Sequence, residues 1–223
     1  MDRAIVLVSG GIDSAVSLFW CTKRGWDVCP LTFHSYMRPQ KEVQAVMALT
    51  EASGCRDRLI EVHVPFLMEV DDLLKGGIEN PLLKEAPLAY VPSRNLIFYS
   101  IAAHYGEVVK ARWIIGGHNG ADSDTFPDAS PEFFQAMNRL LSMGLLTHSK
   151  SPIEIVNPLQ GLTKTEVVRL GLELEVPLDR TWSCNWDLEA PCGDCSSCVE
   201  RAEAFREIGL EDPLLLPTEG TGL

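Results

Sequence analysis

The sequence predicts an α/β fold with a doubly wound, mostly parallel sheet. Three observations point there. Short apolar runs alternate with segments of helical periodicity. The first such run passes through Ser9-Gly10-Gly11 straight into a helical pattern. Of the 223 residues, 46% are hydrophobic and 22% charged, enough to bury a core in one large unit with a small appendage and too few for two full-sized domains.

The elements follow in order. Ala4–Val8 is a continuous apolar run that suits a strand buried on both faces. From Ile12 the pattern is helical, with Ala15, Val16, Leu18, Phe19 and Thr22 on one side and Gly25 as the stop. Val28–Phe33 reads as the second strand. Glu42–Ser53 reads as a helix with Val43, Val46, Met47 and Thr50 on one face, and Leu59–Val64 as the third strand. This β-α-β-α-β order demands right-handed crossovers. Lys75 to Pro92 is Gly- and Pro-rich and reads as an irregular insertion. A helix over Asn95–Val109 then precedes a strand over Arg112–Ile115, which ends in the polar run Gly116-Gly117-His118-Asn119-Gly120. Pro131–Met143 is helical through Phe134, Met137 and Leu141, and Ile153–Val156 is the last strand. Thr163-Lys164-Thr165-Glu166 is a capping box that opens a helix to Leu170. The tail from Thr181 ends in a short helix through Arg206.

With 31 acidic and 19 basic side chains the net charge is −12, which argues against a general binder of phosphate backbones. The first apolar run is too short for a signal segment, and no stretch approaches the ~18 apolar residues of a membrane span. The seven cysteines are an odd number, and four of them (Cys184, Cys192, Cys195 and Cys198) fall in one short polar stretch. That is unlike a disulfide framework and fits a cytoplasmic location, where thiols stay reduced.

Two constellations carry chemistry. In Ile5–Ser14 a buried strand meets a helix N-terminus, where unpaired N–H groups and the helix dipole attract an anion. Gly10 and Gly11 admit a phosphate close to the main chain, Ser9 and Ser14 offer hydroxyls, and Asp13 suits Mg²⁺ or its water shell. The Lys of the usual NTPase loop is missing. The plainer alternative is a strand–helix turn that Asp13 or Ser14 caps. The second constellation, Cys184-x7-Cys192-x2-Cys195-x2-Cys198, suits four thiolates around one structural Zn²⁺. An iron–sulfur cluster is the rival; the ferredoxin-type fourth cysteine followed by proline is absent, which favours zinc. Arg94 sits in the first turn of a helix, where the dipole disfavours a cation, so it reads as a clamp for phosphate or carboxylate with Asn95 beside it, or alternatively as a surface arginine. Asp122, Asp124 and Asp128 follow a strand's carboxyl end and suit a guanine-like N–H edge or Mg²⁺, or alternatively an Asx-rich turn. His118 reads as a loop or packing histidine.

The SGG-x-DS loop resembles the signature of the PP-loop ATP pyrophosphatases, which cleave ATP between the α- and β-phosphates to form adenylates. Val91-Pro92-Ser93-Arg94-Asn95, Ser183-Cys184, Cys192-Gly193-Asp194-Cys195-Ser196-Ser197-Cys198, Arg201 and Ala204-Phe205 extend the likeness from end to end. Together they resemble the 7-cyano-7-deazaguanine (preQ0) synthase family. The resemblance implies an adenine nucleotide α-hydrolase (HUP)-like, Rossmann-like fold. It also implies an ATP-binding catalytic domain over residues 1–180, with a zinc-binding C-terminal segment, 181–223, packed on it. The implied activity converts 7-carboxy-7-deazaguanine to its nitrile with ATP, Mg²⁺ and ammonia, on the route to queuosine or archaeosine. The implied ATP site is Val8, Ser9, Gly10, Gly11, Ile12, Asp13 and Ser14 with Arg94 and Asn95. Asp13, Ser14 and Lys164 are the implied catalytic groups, although Lys164 also reads as a solvated helix-start lysine. Asn119, Asp122 and Asp128 are the substrate candidates.

Two loops depart from the family pattern. Phe126-Pro127-Asp128-Ala129-Ser130 replaces Y-P-D-C-R, and His34-Ser35-Tyr36-Met37-Arg38-Pro39 replaces D-Y-G-Q-R-H. These departures leave open a related enzyme that passes a deazaguanine-type acid to another amine, such as a protein in an antiviral system. A tRNA-thiolating PP-loop enzyme is a further reading, disfavoured by the charge and by the absence of an appended RNA-binding domain. The expected partners are thus a small acid and ammonia, without nucleic acid or membrane. A chain of this size leaves room for a homodimer.

Overall fold

The computed structural model describes residues 2–35, 38–67, 77–87 and 90–215. Five strands, β1 (Arg3–Leu7), β2 (Asp27–Ser35), β3 (Ile60–Val64), β4 (Trp113–Ile115) and β5 (Glu154–Val156), form one sheet of order β3-β2-β1-β4-β5. All four pairings are parallel, with Ile5 opposite Cys29 on one side and Ile114 on the other. The helices are α1 (Ile12–Thr22), α2 (Gln40–Ala52), α3 (Pro81–Lys84), α4 (Arg94–Val109), α5 (Gly120–Thr125), α6 (Pro131–Gly144), α7 (Lys164–Glu173) and α8 (Ser196–Glu207). The α/β class read from the sequence is the class observed, and none of these helices is long and apolar enough to cross a membrane.

The alternation of side chains along β1 builds two cores. Ala4, Val6 and Val8 pack with Val16 of α1, Leu49 of α2, Val167 of α7 and Phe205 of α8. Ile5, facing the opposite way, packs with Leu31, Ile114, Tyr99 of α4 and Phe134 of α6. The central strand β1, covered on both faces, is apolar from Ala4 to Leu7, whereas the edge strand β3 alternates, with Glu61 and His63 polar between Ile60, Val62 and Val64. The chain lays down β2 and β3 on one side of β1, then returns to place β4 and β5 on the other. The carboxyl ends of β1 and β4 therefore part company, and their loops frame a crevice.

Residues 181–215 wrap back onto this body. Trp182, Cys184 and Cys198 bury a small apolar cluster against Ala45 of α2. Arg201 of α8, 2% exposed, is held by Asp212 on one side and by Thr181, Ser183 and the Leu178 carbonyl on the other.

Where boundaries differ from the sequence reading, the cause is tertiary. β2 runs on to Ser35 because β3 pairs with it as far as Val64. α2 begins at Gln40, two residues early, because Asp187 supplies acceptors to the amides of Gln40 and Lys41. Within the segment read as irregular, Pro81–Lys84 forms a helical turn capped by Asn80. The run after β4 is a short helix, α5, because Asn119 and Asp122 cap it reciprocally. The Thr163–Glu166 capping box is present as read.

Candidate active site at the carboxyl ends of the first and fourth strands

The Ser9–Gly11 loop is wound around one hydroxyl. Ser14 Oγ accepts from the Ser9 and Gly10 amides at 3.1 and 3.3 Å and from the Ser9 hydroxyl at 3.1 Å, and it donates to the Gly11 carbonyl at 3.0 Å. Gly10 has φ +102°, and a Cβ there would sit 2.6 Å from the Glu42 carbonyl oxygen, so only glycine fits. Gly11, the N-cap of α1, gives no side-chain cap. The first amides of α1 thus point outward with the helix dipole behind them, a ready anion site.

Asp13 stands at the edge of this loop. Its Oδ2 meets Lys164 Nζ at 2.5 Å, and its Oδ1 accepts from Asn119 Nδ2 at 3.2 Å. Glu200 of α8 approaches the same ammonium at 3.5 Å. Burial works against the Lys164 charge, but Asp13 and Glu200 outweigh it and hold its pKa above the ordinary value. Gly117 permits this closeness: a Cβ there would come within 3.0 Å of the Asp13–Ser14 peptide.

The loop opens into a cavity of about 330 Å³, a size suited to a small molecule. Val8, Ser9, Asp13, Ser14, Arg94, Asn95 and Asp122 line it; Gly10, Gly11, Ile12, Asn119, Asp128 and Lys164 stand outside its wall. Arg94 and Asn95 are aimed by a left-handed Ser93 (φ 58°, ψ 23°), a backbone state that costs about 1–2 kcal/mol in a residue with a Cβ. Asp128 Oδ2 accepts the Asn95 amide at 3.0 Å, and Asn95 Nδ2 donates to the Asp128 carbonyl at 2.9 Å. This lock joins the Phe126–Ser130 loop to α4. Asn119 is committed to capping α5 and to Asp13. Burial pushes the Asp122 carboxyl up, although the Asn119 amide donates to it.

Two contributors, Arg38 and the Phe33–Phe98 pair, were not foreseen from the sequence, while His118 packs as read. Arg38 is 7% exposed at its side chain and bonds the Ser9 carbonyl at 2.6 Å, the Phe33 carbonyl at 2.7 Å, Thr32 Oγ1 at 2.9 Å and Glu42 Oε2 at 3.1 Å. Phe33 and Phe98 stack at 3.9 Å and give the cavity an apolar wall. His118 packs its ring against Tyr99 and Phe134 and faces the cavity. The only sequence signal for Arg38 was an arginine retained in an altered loop; Tyr36, the aromatic beside it, lies outside the described residues.

Burial pushes His118 down to about 4, with Arg94 adding to the effect and Asp128 and Asp13 opposing it. The unfolded chain, with a histidine near 6.5, binds the extra proton first. The stability contributed by the neutral ring is therefore whole above ~6.5 and is lost as pH falls through about 4. An NMR titration should find the His118 ring midpoint close to 4; a midpoint near 6.5 would mean a ring open to water.

The four Sγ atoms of Cys184, Cys192, Cys195 and Cys198 lie within 4.8 Å of one another, with Cys192 and Cys198 at 3.9 Å. Thiolates on one tetrahedral Zn²⁺ at ~2.3 Å stand about 3.8 Å apart, so the set fits a single ion. A multi-iron cluster, whose ligands bind different irons, needs a wider ring of sulfurs. The Trp186 and Cys192 amides donate to Cys184 Sγ at 3.5 Å, and the Cys195 amide to Cys192 Sγ at 3.3 Å, as thiolate charge requires. Four sulfurs leave no position for water, so a metal here is structural.

A sequence profile for the family described as "Queuosine biosynthesis protein QueC" matches residues 3–209, nearly the whole chain. The chain belongs to the QueC family. Among relatives of this QueC-family chain, a Thermoplasma acidophilum protein named 7-cyano-7-deazaguanine synthase is 39% identical over 218 residues, covering 95% of this chain and 91% of that one. A Thermosynechococcus vestitus protein of the same name is 36% identical over 221 residues, covering 96% and 95%. Two solved structures share the fold. NMN synthetase from Francisella tularensis has a TM-score of 0.53 at 17% identity, covering 94% of this chain and 78% of that one. A predicted subunit of tRNA methyltransferase from Methanocaldococcus jannaschii has a TM-score of 0.51 at 16% identity, covering 98% and 94%.

Proposed function

We propose that this QueC-family chain is an ATP-dependent carbon–nitrogen ligase. It adenylates the carboxylate of 7-carboxy-7-deazaguanine and, with ammonia, carries it through the amide to 7-cyano-7-deazaguanine. One observation supports this above others: Ser9 of the loop and Asp13 and Ser14 of the first turn of α1 line the same cavity as Arg94, Asp122 and the apolar Phe33–Phe98 wall.

A carboxylate is a poor electrophile because its oxygen would leave as oxide. In the proposed reaction that oxygen attacks the α-phosphorus of ATP, pyrophosphate departs, and ammonia displaces AMP to give the amide. A second ATP activates the amide oxygen, and loss of AMP with two protons from nitrogen leaves the nitrile. The chain's task is to hold and orient. The amides of Gly10 to Ser14 receive the departing pyrophosphate, flanked by Val8 and Ile12, and Ser14 turns its hydroxyl from the loop to a phosphate oxygen. Lys164 neutralises charge beside them. Arg94 pairs with phosphate or acid, steadied by the Asn95–Asp128 lock. Asp122 takes the guanine-like N–H edge, and Asn119 keeps Asp13 in place. When bound, Mg²⁺ supplies charge neutralisation on the phosphates, with Asp13 as its ligand. Zn²⁺ on the four cysteines fixes the tail. We place this chemistry in the cytoplasm, with no nucleic acid gripped.

The test combines purified protein, Mg-ATP, ammonia and 7-carboxy-7-deazaguanine with mass spectrometry. Nitrile and AMP are expected. AMP formed only with a different acid or amine would overturn the substrate assignment and leave the nucleotide chemistry standing. Metal analysis should return about one zinc per chain; iron would favour the thiolating reading.

A further inference from the structure

The stretch between the first two cysteines of the cluster reaches the nucleotide side of the molecule. α2 begins after Pro39, which has no side chain able to cap it. The cap comes instead from Asp187, whose Oδ1 accepts from the Gln40 and Lys41 amides at 3.0 and 3.4 Å. Asp187 stands three residues beyond Cys184. Its segment is tied to the cysteine cluster by the Trp186 amide on Cys184 Sγ and by Ser197 Oγ donating to Asn185 Oδ1 at 3.1 Å.

What Asp187 caps is the turn that shapes the phosphate loop. Arg38, just before α2, ties the Ser9 carbonyl to Glu42 in the first turn of α2. The Glu42 carbonyl is the group against which Gly10 is wedged. On the other side of Cys184, the Trp182 amide donates to the Gly10 carbonyl at 2.9 Å. The loop is thus gripped from two directions by residues flanking one cysteine.

We propose that Asp187 is a positioning residue for the nucleotide loop, and that metal occupancy at the four cysteines sets nucleotide affinity through it. This rests on the nucleotide reading of the Ser9–Ser14 loop. The experiment measures binding of Mg²⁺ with α,β-methylene-ATP by calorimetry, on protein verified to hold one zinc per chain.

Asp187→Ala should weaken binding about fivefold, as a lost N-cap would, with zinc content unchanged. Asp187→Asn, which keeps the acceptor, should restore it. Chelator-stripped protein should bind more weakly, and in that state Asp187→Ala should have no further effect. Hydrogen exchange at the Gln40 and Lys41 amides should speed up in both cases. Unchanged affinity in Asp187→Ala, equal weakness of the Asn and Ala variants, or full additivity with metal removal would each overturn the proposal. No binding by the wild-type protein would instead overturn the nucleotide reading, while amide exchange would still report on the cap.

Discussion

Asp13→Asn is expected to lower AMP formation by about 10²–10³-fold, the scale for loss of one preorganised charged group in a closed site. The substitution keeps size and shape, so Asn119 still finds a partner at Oδ1. It removes the carboxylate that meets Lys164 at 2.5 Å and leaves that ammonium with Glu200 at 3.5 Å. The helix cap at Gly11 does not involve Asp13, and the melting temperature should move by only a few degrees. Quench-flow or chromatographic detection of AMP checks the rate. Wild-type turnover in the Asp13→Asn variant would remove Asp13 from the chemistry and reduce it to a partner of Lys164.

Arg201→Ala is the substitution with the largest expected effect on stability, about 3–5 kcal/mol, because it strands a buried carboxylate. Asp212, 8% exposed, takes both of its oxygens to the guanidinium, at 2.6 and 2.8 Å. Thr181 Oγ1, Ser183 Oγ and the Leu178 carbonyl accept the remaining donors at 2.6, 3.4 and 3.0 Å. Lysine cannot reproduce that fork, so Arg201→Lys should recover little. Removing both partners as Arg201→Met with Asp212→Leu should recover most of the loss, since neither charge is then stranded. Urea unfolding monitored by circular dichroism measures all three. A single Ala substitution costing under about 1 kcal/mol would mean that water reaches the pair.

The parts legible in the sequence are the local ones. Ser9–Ser14 announces itself because strand, glycines and helix start are contiguous, and the four cysteines because three sit within seven residues. The Thr163–Glu166 box is likewise confined to a single helical turn. Contacts between distant segments left no such trace. Lys164 reads evenly as a solvated lysine or, by the resemblance, as a catalytic group, and only the fold shows its partner Asp13, 151 residues away in sequence. Asn119 and Asp122 read as substrate candidates or turn formers, and only their reciprocal bonds show that they cap a helix. Arg38 offers no periodicity, and its four acceptors come from three different segments. Asp187 lies in a polar run where nothing marks it as the cap of a helix 147 residues earlier.

The bond from the Trp182 amide to the Gly10 carbonyl has a consequence for biogenesis. On the ribosome the Ser9–Ser14 loop emerges before its brace at Trp182 and before Glu200, the second counter-charge for Lys164. A nascent chain therefore carries the glycine loop before the residues that brace it. A chain that stops short of Trp182 retains the loop without that brace.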